Sequence, residues 1–380
     1  MKVFIKTYGC QANINDSEVL AGRLVSEGNI LVNNEEEADK IIVNSCSVKN
    51  KTQSKIIYYI SEIEKSYPDK EIEVGGCLVK SVDLTKKFQN IHIIDTINTN
   101  KLNGNIIRTN KDIGIIQISQ GCLNSCTFCS TKLARGILKS YRIGDIKRQF
   151  EVLLNDGCKT IYLTSQDNGC YGFDIGNKVK KSSLFPIPET SDNKEEVSDI
   201  KSNLPELVSE LLSVEGDYKI RIGMMNPWHL RKIINGLIEV YKDKRIQPFL
   251  HIPVQSGSER VLKDMKRIHT VAEFREAVKL FRQEIPDIDI ATDIIVGFPT
   301  ETEEDFQETY DLIKEIKPEV INVAAYSPRP KTKSAKLKQI STEIVKQRTK
   351  KLNELYLSYR PQVEERFFAK NNSSKLKVVA

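Results

Sequence analysis

The chain has no apolar run of about eighteen residues, the length a helix needs to cross a bilayer. It enters a strand-like segment at once, so neither a membrane span nor a secretory leader is expected, and the expected location is the cytoplasm. Histidine is scarce: His92, His229, His251 and His269 are the four, and no two stand at a metal-ligand spacing. His229, behind Pro227-Trp228 at a helix start, could meet a substrate base, but a structural role is the expectation. Neither sign of charge dominates, since 57 basic residues face 51 acidic ones for a net +6, and 39% hydrophobic content is ordinary for a globular protein. At 380 residues the chain exceeds what a single core usually holds, so two or more domains are expected. The eight cysteines are clustered rather than spread, which argues for metal ligation in a reducing compartment and against disulfides.

The densest cluster is Gly121-Cys122-Leu123-Asn124-Ser125-Cys126-Thr127-Phe128-Cys129, a C-x3-C-x2-C loop directly behind the strand-like run Ile115 to Ser119. Three thiolates at this spacing suit three irons of a 4Fe-4S cube, because each iron takes a soft sulfur ligand. A fourth cysteine is missing from the loop, and Cys158 and Cys170 stand too far along to belong to it. One iron is therefore expected to be open. An open iron beside an aromatic residue, Phe128, is what radical chemistry on S-adenosylmethionine (SAM) requires. A zinc knuckle, which prefers C-x2-C pairs with a fourth ligand nearby, fits less well.

Before that loop, Lys2 to Thr7 alternates like a strand and runs into Cys10, with Asn15-Asp16-Ser17 read as the cap of a helix to about Ser26. Ile41-Ile42-Val43 ends at Cys46, a helical stretch follows from Thr52 to about Lys65, and Glu71 to Val74 ends at Gly75-Gly76-Cys77. Strand, loop and helix recur three times, which predicts a small parallel sheet with covering helices and a last strand at Ile91 to Ile94. Loops at the carboxyl ends of such strands converge. Cys10, Cys46 and Cys77 each stand just past a strand end, so they are expected to meet and to hold a second cube, again with one iron open.

From Ile115 onward the βα rhythm is regular. Strands are expected at Ile115 to Ser119, Thr160 to Thr164, Tyr218 to Gly223, Gln247 to Ile252, Asp289 to Val296 and Glu319 to Ala325. Six βα units predict an α/β fold with an open, partial (β/α)6 barrel, whose chemistry sits at the carboxyl ends of the strands. Phe128, Ser165, Gln166, Asp167, Gln255, Ser256 and Ile294 lie in or near those ends and are the expected SAM contacts. The polar segment 177–202 interrupts the rhythm and is read as an insertion overhanging that face. Cys158 is read as a packing residue, and Cys170 is not assigned as a ligand. The expected domains are 1–108, 109–340 and a basic C-terminal helix and tail, 341–380. From Arg329 to the end, 14 basic residues face 4 acidic ones, so this part carries +10 and the remainder −4, a distribution that suits a polyanion such as RNA.

Taken together, the chain resembles the methylthiotransferase family of radical SAM enzymes over about residues 1 to 350. The resemblance rests on Thr7-Tyr8-Gly9-Cys10-Gln11-Ala12-Asn13, Asn44-Ser45-Cys46, Gly75-Gly76-Cys77, the loop Gly121 to Cys129, Ser165-Gln166-Asp167, His251 to Ser258 and Thr292 to Pro299. Thr131 to Gly136 with Ser140-Tyr141, Gly172 to Gly176 and Asn203-Leu204-Pro205 resemble the archaeal and eukaryotic branch. That branch converts N6-threonylcarbamoyladenosine beside the anticodon of tRNA, at position 37, to its 2-methylthio form. The resemblance implies two 4Fe-4S clusters, SAM, a tRNA substrate, an electron donor, a sulfur source and a monomer. It also implies a radical-generating cluster on Cys122, Cys126 and Cys129 and a sulfur-supplying cluster on Cys10, Cys46 and Cys77. Lys132, Arg135, Arg329, Lys331 and Lys333 are the expected RNA contacts. Two departures stand out. The β-barrel that usually closes the family is expected to be missing or truncated, and Thr300 and Lys331-Thr332-Lys333 replace a usual glycine and Gly-Thr-Pro. Isopentenyladenosine in tRNA and an aspartate of a ribosomal protein are the rival substrates, and an RNA-binding redox sensor is the rival of another class.

Overall fold

The computed structural model describes residues 1–47, 50–102, 104–175 and 203–371, the side chains of 50–51 and 361–371 excepted. The insertion expected at 177–202, Gly176 and the tail beyond 371 lie outside the described residues. No described helix is long and apolar enough to cross a membrane.

The first 97 residues contain β1 (Lys2–Thr7), α1 (Gln11–Ser26), β2 (Ile30–Leu31), β3 (Lys40–Ser45), α2 (Asn50–Ser66), β4 (Glu71–Gly76) and β5 (Ile91–Ile93). The strands form one parallel sheet in the order β2-β1-β3-β4-β5. Ile41, Ile42 and Val43 are fully buried, as a central parallel strand covered on both faces must be. Asn15, Asp16 and Ser17 do not cap a helix. α1 starts earlier, with Cys10 at its N-cap, and these three polar residues lie buried within it. They are tolerated there because each is hydrogen-bonded across a packing surface, as burial of polar groups requires.

The second region holds β6 (Ile113–Gln117), β7 (Ser119–Gln120), α3 (Thr131–Arg135), β8 (Lys139–Ser140), α4 (Ile143–Asn155), β9 (Thr160–Thr164), α5 (Leu204–Leu212), β10 (Lys219–Ile222) and α6 (Pro227–Tyr241). It continues with β11 (Phe249–His251), α7 (Glu259–Asp264), α8 (Val271–Glu284), β12 (Asp289–Val296), α9 (Glu303–Ile316), β13 (Val320–Ala325) and α10 (Thr342–Asn371). The parallel sheets β6-β9-β10 and β11-β12-β13 meet where Ile220 bridges to Ile246. The six strands thus follow one another in chain order around an incomplete barrel. β6 begins and ends two residues before the expected strand, because Ser119 and Gln120 leave it to pair antiparallel with Lys139–Ser140.

Helix starts follow local chemistry. Thr270 with Glu273 and Thr302 with Asp305 form capping boxes on α8 and α9, while Asn203 and Asn226 cap α5 and α6 just ahead of a proline in the first turn. Among the described residues no pairing joins β13 to β6, so each keeps an open edge. α1 lies against that of β6: Asn15 donates to the Ile115 carbonyl (2.8 Å), and Gln117 donates to Asp16 (2.7 Å) and the Ala12 carbonyl (3.2 Å). An exposed strand edge is thereby occupied by polar side chains of the first region. α10 packs beside β13, with Tyr356 and Tyr359 donating to the carbonyls of Glu319 and Pro318.

Candidate active site

The C-x3-C-x2-C loop is the connection from β7 to α3, held at its base by the β7–β8 hairpin. Gly121 has φ +81°, and a Cβ there would stand 2.2 Å from the Ile137 carbonyl oxygen, so only glycine lets the loop leave the hairpin this way. Each sulfur of Cys122, Cys126 and Cys129 has an N–H donor. Asn124 Nδ2 reaches Cys122 (3.6 Å), Arg267 Nη1 reaches Cys126 (3.7 Å) and the Thr131 amide reaches Cys129 (3.4 Å). Three sulfurs each facing a donor fit anionic thiolates around a metal cluster. In the metal-free protein, burial and the Asp167 carboxylate push the Cys122 thiol well above its ordinary value, so ligation must displace a proton.

Cys10, Cys46 and Cys77 stand at the carboxyl ends of β1, β3 and β4, three adjacent strands. Thr7 faces Asn44 and Ser45 faces Gly76 in the register, which sets the next residues, Cys46 and Cys77, side by side. Gly9, at φ +121°, lets the third strand end close in: a Cβ on it would lie 2.9 Å from the Cys46 Cβ. Burial pushes the Cys77 thiol up to about 11, opposed by the charge of Arg135, with Cys10 and Cys46 near enough to act on it as well. The two triads face each other. Ser47, next to Cys46, meets Ser130, next to Cys129, at 3.5 Å, and the Arg329 charge acts on both Cys46 and Cys129.

Asp167 is the hub of the polar residues after β9. Its carboxylate accepts from the amides of Gly169 and Asn226 (3.1 Å each), from Asn124 (3.0 Å) and from His229 Nδ1 (2.7 Å). Burial alone would raise this carboxyl, but His229, the Asn226 amide and the Arg267 charge bring it below its ordinary value. Asp167, Cys170 and His229 lie close enough to share a cation, yet both carboxylate oxygens are already engaged and the Cys170 thiol donates to the Asp167 carbonyl. Through Asn124, Asp167 also reaches the Cys122 loop. Gln166 accepts from the Gly121 amide (2.6 Å), and Ser165 accepts from the Asp167 amide (3.1 Å).

The remaining expected SAM contacts divide. Gln255 holds φ +74°, a left-handed conformation rare outside glycine, and bridges to Ile294, so a strained residue marks the end of β12 beside the site. Ser256 turns into packing, contacting Thr309 of α9 at 3.3 Å, and Ile294 is fully buried. Phe128 joins an apolar group with Val261, Met265, Phe298 and Tyr326.

The expected RNA contacts divide as well. Lys331 and Lys333 are exposed, and Lys132 is partly covered, donating to the Leu123 carbonyl at 3.1 Å. Arg135 and Arg329 are only 4% and 6% exposed, which corrects the expectation for these two: their guanidinium groups turn inward, toward the cysteines. Arg267, Asn124 and His229 are site residues the sequence did not disclose. Arg267 and His229 stand far from the cysteine motif with no spacing rule of their own, and Asn124, inside the motif, is marked only by the position of Asp167, which the fold brings to it.

The chain matches the Radical SAM superfamily over residues 116–313 and "Uncharacterized protein family UPF0004" over residues 2–97. In solved structures, the radical SAM methyltransferase TsrM from Kitasatospora setae aligns with a TM-score of 0.59 over 88% of this chain and 76% of that one. At 12% identity this speaks to the fold alone. Fold and motif together define a radical SAM enzyme. It is 38% identical to a probable threonylcarbamoyladenosine tRNA methylthiotransferase of Pyrococcus horikoshii, covering 97% of this chain and 87% of that one. It is 34% identical to the human threonylcarbamoyladenosine tRNA methylthiotransferase, covering 95% and 63%. The chain belongs to this methylthiotransferase family, whose cofactors are SAM and two 4Fe-4S clusters.

Proposed function

We propose that this protein converts N6-threonylcarbamoyladenosine in tRNA, at position 37 beside the anticodon, to its 2-methylthio derivative. The observation that carries the reading is the meeting of two cysteine triads, Cys122/Cys126/Cys129 and Cys10/Cys46/Cys77, across the Ser47–Ser130 contact. The first triad takes the SAM-binding cluster and the second the auxiliary cluster; when bound, these groups supply a SAM-derived radical and a sulfur donor for a carbon that acid and base groups cannot functionalise. The chain's own residues hold and shield the site. Asp167, fixed by His229 and two backbone amides, orients Asn124 and with it the Cys122 loop. Phe128, Phe298 and Met265 form an apolar wall that limits water beside the same loop. In this reading Gln166 and Gln255 contact SAM, and Lys132, Lys331 and Lys333 contact phosphates of the RNA. The protein acts as a cytoplasmic monomer, with an electron donor and a sulfur source supplied from outside.

Mass spectrometry of nucleosides from tRNA, incubated with the anaerobically reconstituted protein, SAM and a reductant, tests the reading. A 2-methylthio product is expected. Intact clusters and cleaved SAM without that product would remove the substrate assignment.

A further inference from the structure

Arg135 ends α3, the helix that follows the SAM-cluster loop, yet its side chain enters the other triad. It is 4% exposed. Its Nη2 donates to Asp16 Oδ2 at 2.6 Å and approaches Asn13 Oδ1 at 3.3 Å, while Nη1 is buried without a hydrogen-bond partner. The groups its charge acts on, after Asp16, are Cys77 and Cys10. Asp16 is also claimed by Lys101, 1% exposed, whose Nζ lies 2.7 Å from Oδ1. Burial lowers the pKa of Lys101, which also donates to the Thr96 carbonyl and the Thr99 hydroxyl, whereas the Arg135 guanidinium stays charged with only a share of one carboxylate to answer it. Buried charge of this kind calls for an anion. Three thiolates on a 4Fe-4S cube supply one, and Nη1 is the unpartnered arm of a guanidinium that stands close enough to Cys77 to act on it by charge and by hydrogen bond.

We propose that Arg135 is the charge partner of the auxiliary site: its Nη1–H donates to sulfur at Cys77 and holds that cluster at a higher reduction potential than its cysteines alone would. Hydrogen bonds and charge at the sulfurs are the levers by which a protein sets such a potential. Asp16 competes for the same guanidinium and works in the opposite direction. The proposal rests on Cys10, Cys46 and Cys77 being the auxiliary-cluster ligands.

The test uses the full chain carrying Cys122→Ala, Cys126→Ala and Cys129→Ala, reconstituted so that only the auxiliary cluster contributes, with its midpoint read by potentiometric titration followed by electron paramagnetic resonance. Arg135→Lys keeps a cation on Asp16 but loses the second N–H arm. It is expected to lower the reduced-to-oxidised ratio at a fixed potential about tenfold, a downward shift of ~59 mV for one electron. Asp16→Asn, which leaves Arg135 in place, is expected to move the midpoint upward. A midpoint unchanged in both variants, or moved in the same direction by both, overturns the role given to Arg135. A parent chain that binds no iron at all would instead overturn the ligand assignment beneath it.

Discussion

Each triad assembles three cysteines, but by opposite means. Cys122, Cys126 and Cys129 lie within one short loop, and the hairpin at its base and three N–H donors suffice to aim them. Cys10, Cys46 and Cys77 are brought together only by the order β1-β3-β4, so their geometry is a property of the whole first sheet. A local site tolerates change far from it, whereas a dispersed one inherits every disturbance of register.

The widest separation between them is chemical. Cys126→Ala is expected to abolish formation of 5′-deoxyadenosine, whereas Cys46→Ala should leave SAM cleavage and stop sulfur insertion; both are read by chromatography of the nucleosides. Normal sulfur transfer by Cys46→Ala would erase the distinction. Next come the glycines. Gly9→Ala, strained at its φ and pressed against Cys46, is expected to lose about half the bound iron while SAM cleavage persists. Gly121→Ala should lose the other half together with cleavage. Iron analysis beside the cleavage assay decides between them.

A smaller effect belongs to the barrel alone. Glu301, behind Gly297-Phe298-Pro299, is raised by burial to about 7, against donors at Gly297 and Phe298 and the charge of Arg348 on α10. Its folded value lies above its ordinary 4.5, so its stabilising share is complete below about pH 4.5 and is lost as pH rises through about 7. At ~1.4 kcal/mol per pKa unit this amounts to at most ~3 kcal/mol. Melting Glu301→Gln beside the parent at pH 5 and pH 8 should show the variant gaining relative stability at the higher pH. The smallest effect lies where the regions join. Asn15→Ala leaves the Ile115 carbonyl without its donor and should cost ~1–2 kcal/mol in chemical denaturation.

Much of this arrangement was legible in the chain. Cysteines just past three strand-like runs announced the dispersed triad, and the C-x3-C-x2-C spacing announced the local one, because strand ends and short spacings are local patterns. The six barrel strands were readable for the same reason. Arg135 and Arg329 are buried where the sequence suggests surface, because a cation in a basic segment reads as exposed and nothing nearby shows that Asp16 in one case and the Cys46 and Cys129 thiols in the other await it. Asp16 itself reads as part of a helix cap, since a buried carboxylate in mid-helix is explained only by Lys101, Gln117 and Arg135, all of them far along the sequence. Arg267, Asn124 and His229 became visible only as partners of atoms the fold brings to them.

The Asp16–Arg135 pair also sets an order of synthesis. A chain leaving the ribosome completes its first sheet before α3 exists, and N-terminal units generally fold first. Until residue 135 emerges, α1 carries a buried carboxylate short of one of its two cations, and its flank lacks β6. The region made first is therefore the one finished last, and its cysteines acquire their final surroundings only when the neighbouring loop has been made as well.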